Sequence, residues 1–128
     1  MIRGLGIDLV PVARIDDVVA RRGERFLRRI LTDGEMSYCA RFPEPQRHWA
    51  ARFAAKEAAL KAMGTGIFGG VSWKAIEVVN LESGQPTLHL SGRAKELADG
   101  LGATRSHVTI AHDGAYAVAC VVLEGPES

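Results

Sequence analysis

The chain opens on an alternation. Side chains of a strand point to opposite faces in turn, so in residues 2–10, IRGLGIDLV, Leu5, Ile7 and Leu9 share one face and Gly4, Gly6 and Asp8 the other. The apolar face is expected in the core. The other is nearly bare of side chains, so a backbone, a helix or a ligand can approach it closely, with Asp8 at its end. Residues 11–31 keep helical spacing and predict one long helix, interrupted only by a tolerable Gly23. Thr32 follows with Glu35 three residues on, the capping-box pattern of a second helix. A loop carrying Arg41, Pro43, Pro45 and Arg47 leads to an Ala-rich helix over RFAAKEAALKAMGTG, residues 52–66, led in by Trp49 and Phe53 and stopped by Gly64 and Gly66.

The second half is written in shorter elements. Residues 64–70 are glycine-rich and predict a flexible loop. Residues 73–80 and 86–90 read as strands joined by a turn at Ser83 and Gly84. Ser91 is placed to cap a short helix with the apolar stripe Ala94, Leu97, Ala98 and Leu101, ending at Gly100 or Gly102. Residues 107–112 and 115–123 predict a hairpin around Asp113-Gly114, and residues 125–128 a frayed end. A strand, then helices, then strands with one inserted helix argues for the α+β class.

Composition narrows the picture. A length of 128 residues predicts a single domain over 1–128. Sixteen basic and 15 acidic residues leave a net charge of +1, which argues against nucleic acid or membrane as a partner. The longest uncharged apolar run, residues 115–123, is far below the ~20 residues of a spanning helix, and no basic leader precedes an apolar stretch, so a cytoplasmic protein is expected. Cys39 and Cys120 show no metal-ligand spacing and read as reduced thiols.

Candidate chemistry centres on two carboxylates. Glu57 and Lys61 lie one turn apart and project from one helical face. They read either as a surface ion pair, worth about 0.3–0.5 kcal/mol, or as a metal-holding carboxylate beside a phosphate-facing ammonium. Asp8 favours the second reading, because an ionised Asp in an apolar strand needs a cation or hydrogen-bond donors; a hydrogen-bonded turn before Pro11 is the alternative. Gly4 and Gly6 also suggest a dinucleotide fingerprint, which fails at Leu9. Arg14, Arg21, Arg25 and Arg28, with Val18 among them, fall along one stripe of the long first helix. Such a stripe complements an acidic protein partner, or is a solvated face balanced by Asp16, Asp17 and Glu24. His112 and Asp113 suggest a general-base pair, although turn geometry explains Asp113 equally. His107 falls on the opposite strand face and reads as structural, His48 and His89 as surface imidazoles, and Trp73 as core.

Four segments in order carry a resemblance over nearly the whole chain: GIDLVPVARI, RFAAKEAALKAMGTG, WKAIEV followed by SGQPTLHLSG, and HVTIAHDGAYAVA. Together they resemble the small bacterial holo-acyl-carrier-protein synthases, which are 4′-phosphopantetheinyl transferases. The resemblance implies an antiparallel sheet packed against helices, one domain per chain, and a homotrimer with sites between subunits. It implies transfer of 4′-phosphopantetheine from coenzyme A to a serine of apo acyl carrier protein, releasing adenosine 3′,5′-bisphosphate. Mg²⁺ would be held by Asp8 and Glu57, and Glu57 and Lys61 would be catalytic. Coenzyme A would meet Arg52, Lys61, Gly64, Thr65, Gly66 and His112, with His112 reaching in from a neighbouring subunit; simple ion pairing is the other account of Arg52. The acyl carrier protein would dock on Arg14, Val18, Arg21 and Arg25, although the match slips by one residue around Gly23. Glu57 and a metal-bound water both stand as the base for the serine. A non-catalytic adaptor for nucleotides or acidic proteins is the rival reading, but an adaptor has no need of a metal beside a phosphate-facing lysine. A nucleic-acid binder would carry a larger basic surplus.

Overall fold

The computed structural model describes residues 1–65 and 70–127. Strand β1 (Ile2–Pro11) is followed by helices α1 (Val12–Arg22), α2 (Glu24–Ile30), α3 (Asp33–Cys39) and α4 (Gln46–Ala62). A 3-10 turn (Trp73–Ala75) leads into β2 (Ile76–Asn80) and β3 (Pro86–Leu90), then α5 (Gly92–Gly100), β4 (Arg105–Asp113) and β5 (Tyr116–Glu124). All pairings are antiparallel: a three-stranded sheet in the order β1-β5-β4 and a β2-β3 hairpin. The class is α+β, as expected. Among the described residues no helix is long and apolar enough to cross a membrane.

Glycine decides how the sheet meets α4. A side chain at Gly4 or Gly6 would collide with the carbonyl oxygens of Ala62 and Ala58, so strand and helix pack backbone against backbone. That contact corrects the expected core. Leu5, Ile7 and Leu9 point away from the helix and are 63, 59 and 58% exposed, because the bare face is the one that admits α4. On β5 the buried side chains are Ala117, Ala119, Val121 and Leu123, which face the helix, while Val118, Cys120 and Val122 extend the outer apolar face. Enclosure between this sheet, α1 and β2 explains why α4 is built of alanine: Ala50, Ala51, Ala54, Ala55, Ala58 and Ala59 are all buried.

The capping box at Thr32 and Glu35 forms as the spacing predicts. Glu35 also does something its sequence context conceals. Its Oε1 accepts from Thr32 N at 2.9 Å and from Lys56 Nζ at 2.7 Å, and its Oε2 accepts from Val78 N at 2.9 Å. Lys56 Nζ donates further to the carbonyls of Trp73 and Ile76. Both side chains are fully enclosed. Burial pushes the Lys56 amine below its ordinary pKa, and Glu35 opposes that shift. Three acceptors match the three donors of an ammonium, so the ion pair ties α3, α4 and β2 together one residue before Glu57.

Local expectations fail in four places. The helix over 11–31 is two helices, because Gly23 at φ 73° and ψ −163° takes a conformation that turns the chain and favours glycine. Residues 73–75 form a 3-10 turn, so that strand begins at Ile76. Ser91 occupies the cap position of α5 without a side-chain capping bond. Residues 125 and 126 are tied down: Gly125 N donates to Met1 O at 2.9 Å, the Met1 ammonium to Gly125 O, and Arg3 Nη2 to Pro126 O. Gly66, and with it most of the loop expected over 64–70, lies outside the described residues.

Candidate active site

β1 and α4 bring Asp8, Glu57 and Lys61 together. Lys61 Nζ donates to Asp8 Oδ1 at 2.9 Å and to Ile7 O at 3.0 Å, so it reaches across to the strand and its ion-pair partner is Asp8. Glu57 is half-buried. Burial chiefly, and then the charge of Asp8, push its carboxyl above the usual range, while Lys61 and Arg14 pull it down. Two carboxylates and two cations thus form one electrostatic cluster, with the Arg14 guanidinium also 5.9 Å from the centre of the Phe53 ring. Among the described residues no group of three or more His, Cys, Asp or Glu side chains could hold a metal; the set here is two carboxylates. Beyond it the helix closes with Gly64 N on Lys61 O and Thr65 N on Leu60 O, both at 3.0 Å, and Gly64 at φ 71°.

Arg52 is not part of that cluster. Five residues before Glu57, it projects about 140° away around the helix. It is only 2% exposed; its Nη2 donates to Asn80 Oδ1 and its Cζ lies 4.1 Å over the Tyr38 ring, and among the described residues no carboxylate pairs with it, contrary to the ion-pair account. Its Nε is buried without a partner among the described residues. His112 is on this side too: burial first, then Arg47 and Arg52, hold its pKa below the ordinary value. His48, expected as a surface imidazole, is half-buried here, its pKa pushed down to about 4 by burial first and then by His112, Arg52 and Arg47. Sequence reasoning missed Tyr38, Asn80 and His48, whose juxtaposition comes from three separate elements and carries no local pattern. His107 sits on the outer face, with Nε2 3.0 Å from Glu124 Oε1. His89 is exposed.

The arginine stripe is split by Gly23. Arg14, Val18 and Arg21 stand on α1, Arg25 and Arg28 on α2, and Arg28 turns to Glu24 at 2.9 Å. Val18 is half-buried. Arg21, Arg22, Arg25 and Arg29 rim a cleft of about 600 Å³ whose apolar wall is Phe26, Ile30, Phe53 and Trp73. Phe53 joins this cleft to the Asp8 and Glu57 cluster through its contact with Arg14.

Known proteins resemble this chain over nearly its whole length. The chain is 49% identical over 124 residues to the holo-[acyl-carrier-protein] synthase of Koribacter versatilis, covering 97% of this chain and 99% of that one. The crystal structure of holo-[acyl-carrier-protein] synthase from Neisseria meningitidis matches with a TM-score of 0.87 at 35% identity, over 97% of this chain and 99% of that one. The Helicobacter pylori holo-[acyl-carrier-protein] synthase, solved in complex with coenzyme A, matches with a TM-score of 0.83 at 33% identity, over 94% and 99%. The ACPS family model, described as the 4′-phosphopantetheinyl transferase superfamily, matches residues 4–121. With a family match over most of its length and near-complete coverage of its relatives, the chain belongs to the 4′-phosphopantetheinyl transferase superfamily.

Proposed function

We propose that this chain transfers 4′-phosphopantetheine from coenzyme A to a serine of apo acyl carrier protein, releasing adenosine 3′,5′-bisphosphate, with Mg²⁺ as cofactor. The observation that carries the reading is the Lys61 ammonium resting on Asp8 beside Glu57. Two carboxylates side by side, with the charge of Asp8 raising the cost of ionising Glu57, make a site that attracts cations. Hard oxygen donors, few in number, fit a small divalent ion that keeps several waters, and Asp8 and Glu57 would hold it. When bound, Mg²⁺ supplies charge neutralisation at the coenzyme A pyrophosphate. Lys61 offers its ammonium where charge gathers on the departing bisphosphate. Either Glu57 or a water at the cation site would receive the serine proton. Gly64 and Thr65, next along the chain, would give coenzyme A a close backbone approach, and the sequence motif alone adds Gly66 to them.

The site is shared between subunits of a homotrimer on this reading. Arg47 and Arg52, with the His112 imidazole beside them, form a second half on another flank of α4, which would meet the nucleotide phosphate of a coenzyme A held by a neighbour's Asp8 and Glu57. The apolar outer face of β1 and β5, with Leu5, Ile7 and Leu9 more than half exposed, is the surface a second copy would cover. Arg14, Val18, Arg21 and Arg25 line the approach for the acidic carrier.

The direct test is to incubate the purified protein with coenzyme A, Mg²⁺ and apo acyl carrier protein and weigh the carrier. A phosphopantetheine mass gain that EDTA suppresses is expected. An unchanged mass, with a carrier that another transferase can load, would sink the activity. Charge reversal at Arg21 and Arg25 together is expected to raise the KM for carrier roughly tenfold or more, and to spare that for coenzyme A.

A further inference from the structure

Four rings cluster beside the amino-terminal half of α4, away from Asp8, Glu57 and Lys61. Phe42 and His48 lie face to face, with ring centres 3.7 Å apart and planes 17° from parallel. Tyr38 closes one side, 5.3 Å from Phe42 and 6.1 Å from His48. The His112 ring stands at 88° to His48 with centres 5.5 Å apart. Among the described residues no hydrogen bond holds the His112 imidazole, and His48 is the ring it meets.

We propose that His48 is a positioning residue for His112, fixing the plane in which that imidazole is offered to the nucleotide end of coenzyme A. The inference rests on the reading above that His112 touches coenzyme A. His112 projects from β4 close to the hairpin turn, with a side chain of two torsions and an open side. A wall set edge-to-face against it removes much of that freedom before a ligand arrives, and preorganised groups lose less on binding. The wall is itself immobilised, because His48 is clamped on Phe42 and Tyr38.

Charge supports the geometry. The guanidiniums of Arg47 and Arg52, both on α4, bear on both imidazoles, the His112 ring of β4 faces His48, and Arg41, in the turn after α3, covers Tyr38 at 5.4 Å. Burial and those neighbours keep His48 neutral at physiological pH. A neutral ring does not repel His112 when a bound anion leads His112 to take up a proton.

The test compares His48→Ala, His48→Phe, His112→Ala and the double alanine variant, by steady-state kinetics with coenzyme A varied and by the imidazole proton resonances of His112 in the free protein. His48→Ala should raise the coenzyme A KM about five- to tenfold, the scale of one aromatic contact, while kcat changes by less than about twofold. It should also shift the His112 resonances. His48→Phe keeps a ring on Phe42 and should restore both. With His112 already removed, His48→Ala should add no further loss. Losses that multiply in the double variant, or a His48→Ala protein with unchanged KM and unmoved His112 resonances, overturn the inference. An unchanged KM in His112→Ala is a separate failure, of the coenzyme A reading itself, and takes the inference with it.

Discussion

Asp8 is a strand residue preceded on the same face by two glycines, Gly4 and Gly6, and that setting makes it sensitive to a change of a single atom. Asp8→Asn and Glu57→Gln keep the shape of each side chain and remove a hard anionic donor. Each variant should lose at least about a hundredfold in transfer rate with an unchanged circular dichroism spectrum. Turnover near that of the unaltered protein, at ordinary Mg²⁺, would show that the carboxylates do not hold the metal. His48 makes a different prediction. Its folded pKa of about 4 lies below its usual 6.5, so the unfolded chain binds the extra proton between those values. Stability is therefore present in full above pH 6.5 and is lost as pH falls toward 4, and the lowered pKa of His112 acts in the same direction. The melting temperature should drop across that window, and His48→Phe should flatten the drop. Parallel profiles for the two proteins would exclude His48 as a source.

At the scale of elements, β1 and α4 are held at a separation set by backbone atoms. Gly6→Ala puts a methyl group into the Ala58 carbonyl oxygen, and neither partner is a flexible side chain. A loss of at least about 3 kcal/mol in urea unfolding is expected; a loss below about 1 kcal/mol would mean that the two elements part easily. This contact also marks the limit of what the sequence made legible. The alternation in IRGLGIDLV showed a two-faced strand, and its glycines showed that something comes close. Alternation does not say which face is inside, and here the face richer in apolar side chains is outside because a helix needs the barer one. Similarly, helical spacing runs unbroken through Gly23, while the fold uses that residue for a backbone conformation that spacing cannot reveal. Asp8, Glu57 and Lys61 were readable from spacing and motif. The grouping of Tyr38, His48, Arg52 and His112 was not, because it depends on where three elements end up in space.

For the molecule as a whole, the outer sheet face is where the proposed assembly would form. Ile7 lies at its middle, opposite Cys120, with Thr109 beyond. Ile7→Asp leaves the helix-facing side of β1 untouched and should yield a folded monomer by analytical ultracentrifugation, with transfer activity lost. A fully active variant at monomer mass would rule out the shared site. The division of cationic and carboxylate halves between two flanks of α4 has a consequence for behaviour at low abundance. When each site is completed only by a second chain, specific activity ceases to be a constant of the protein: it falls on dilution and recovers on concentration. Carrier loading in a cell would then respond more steeply than linearly to the amount of this protein made.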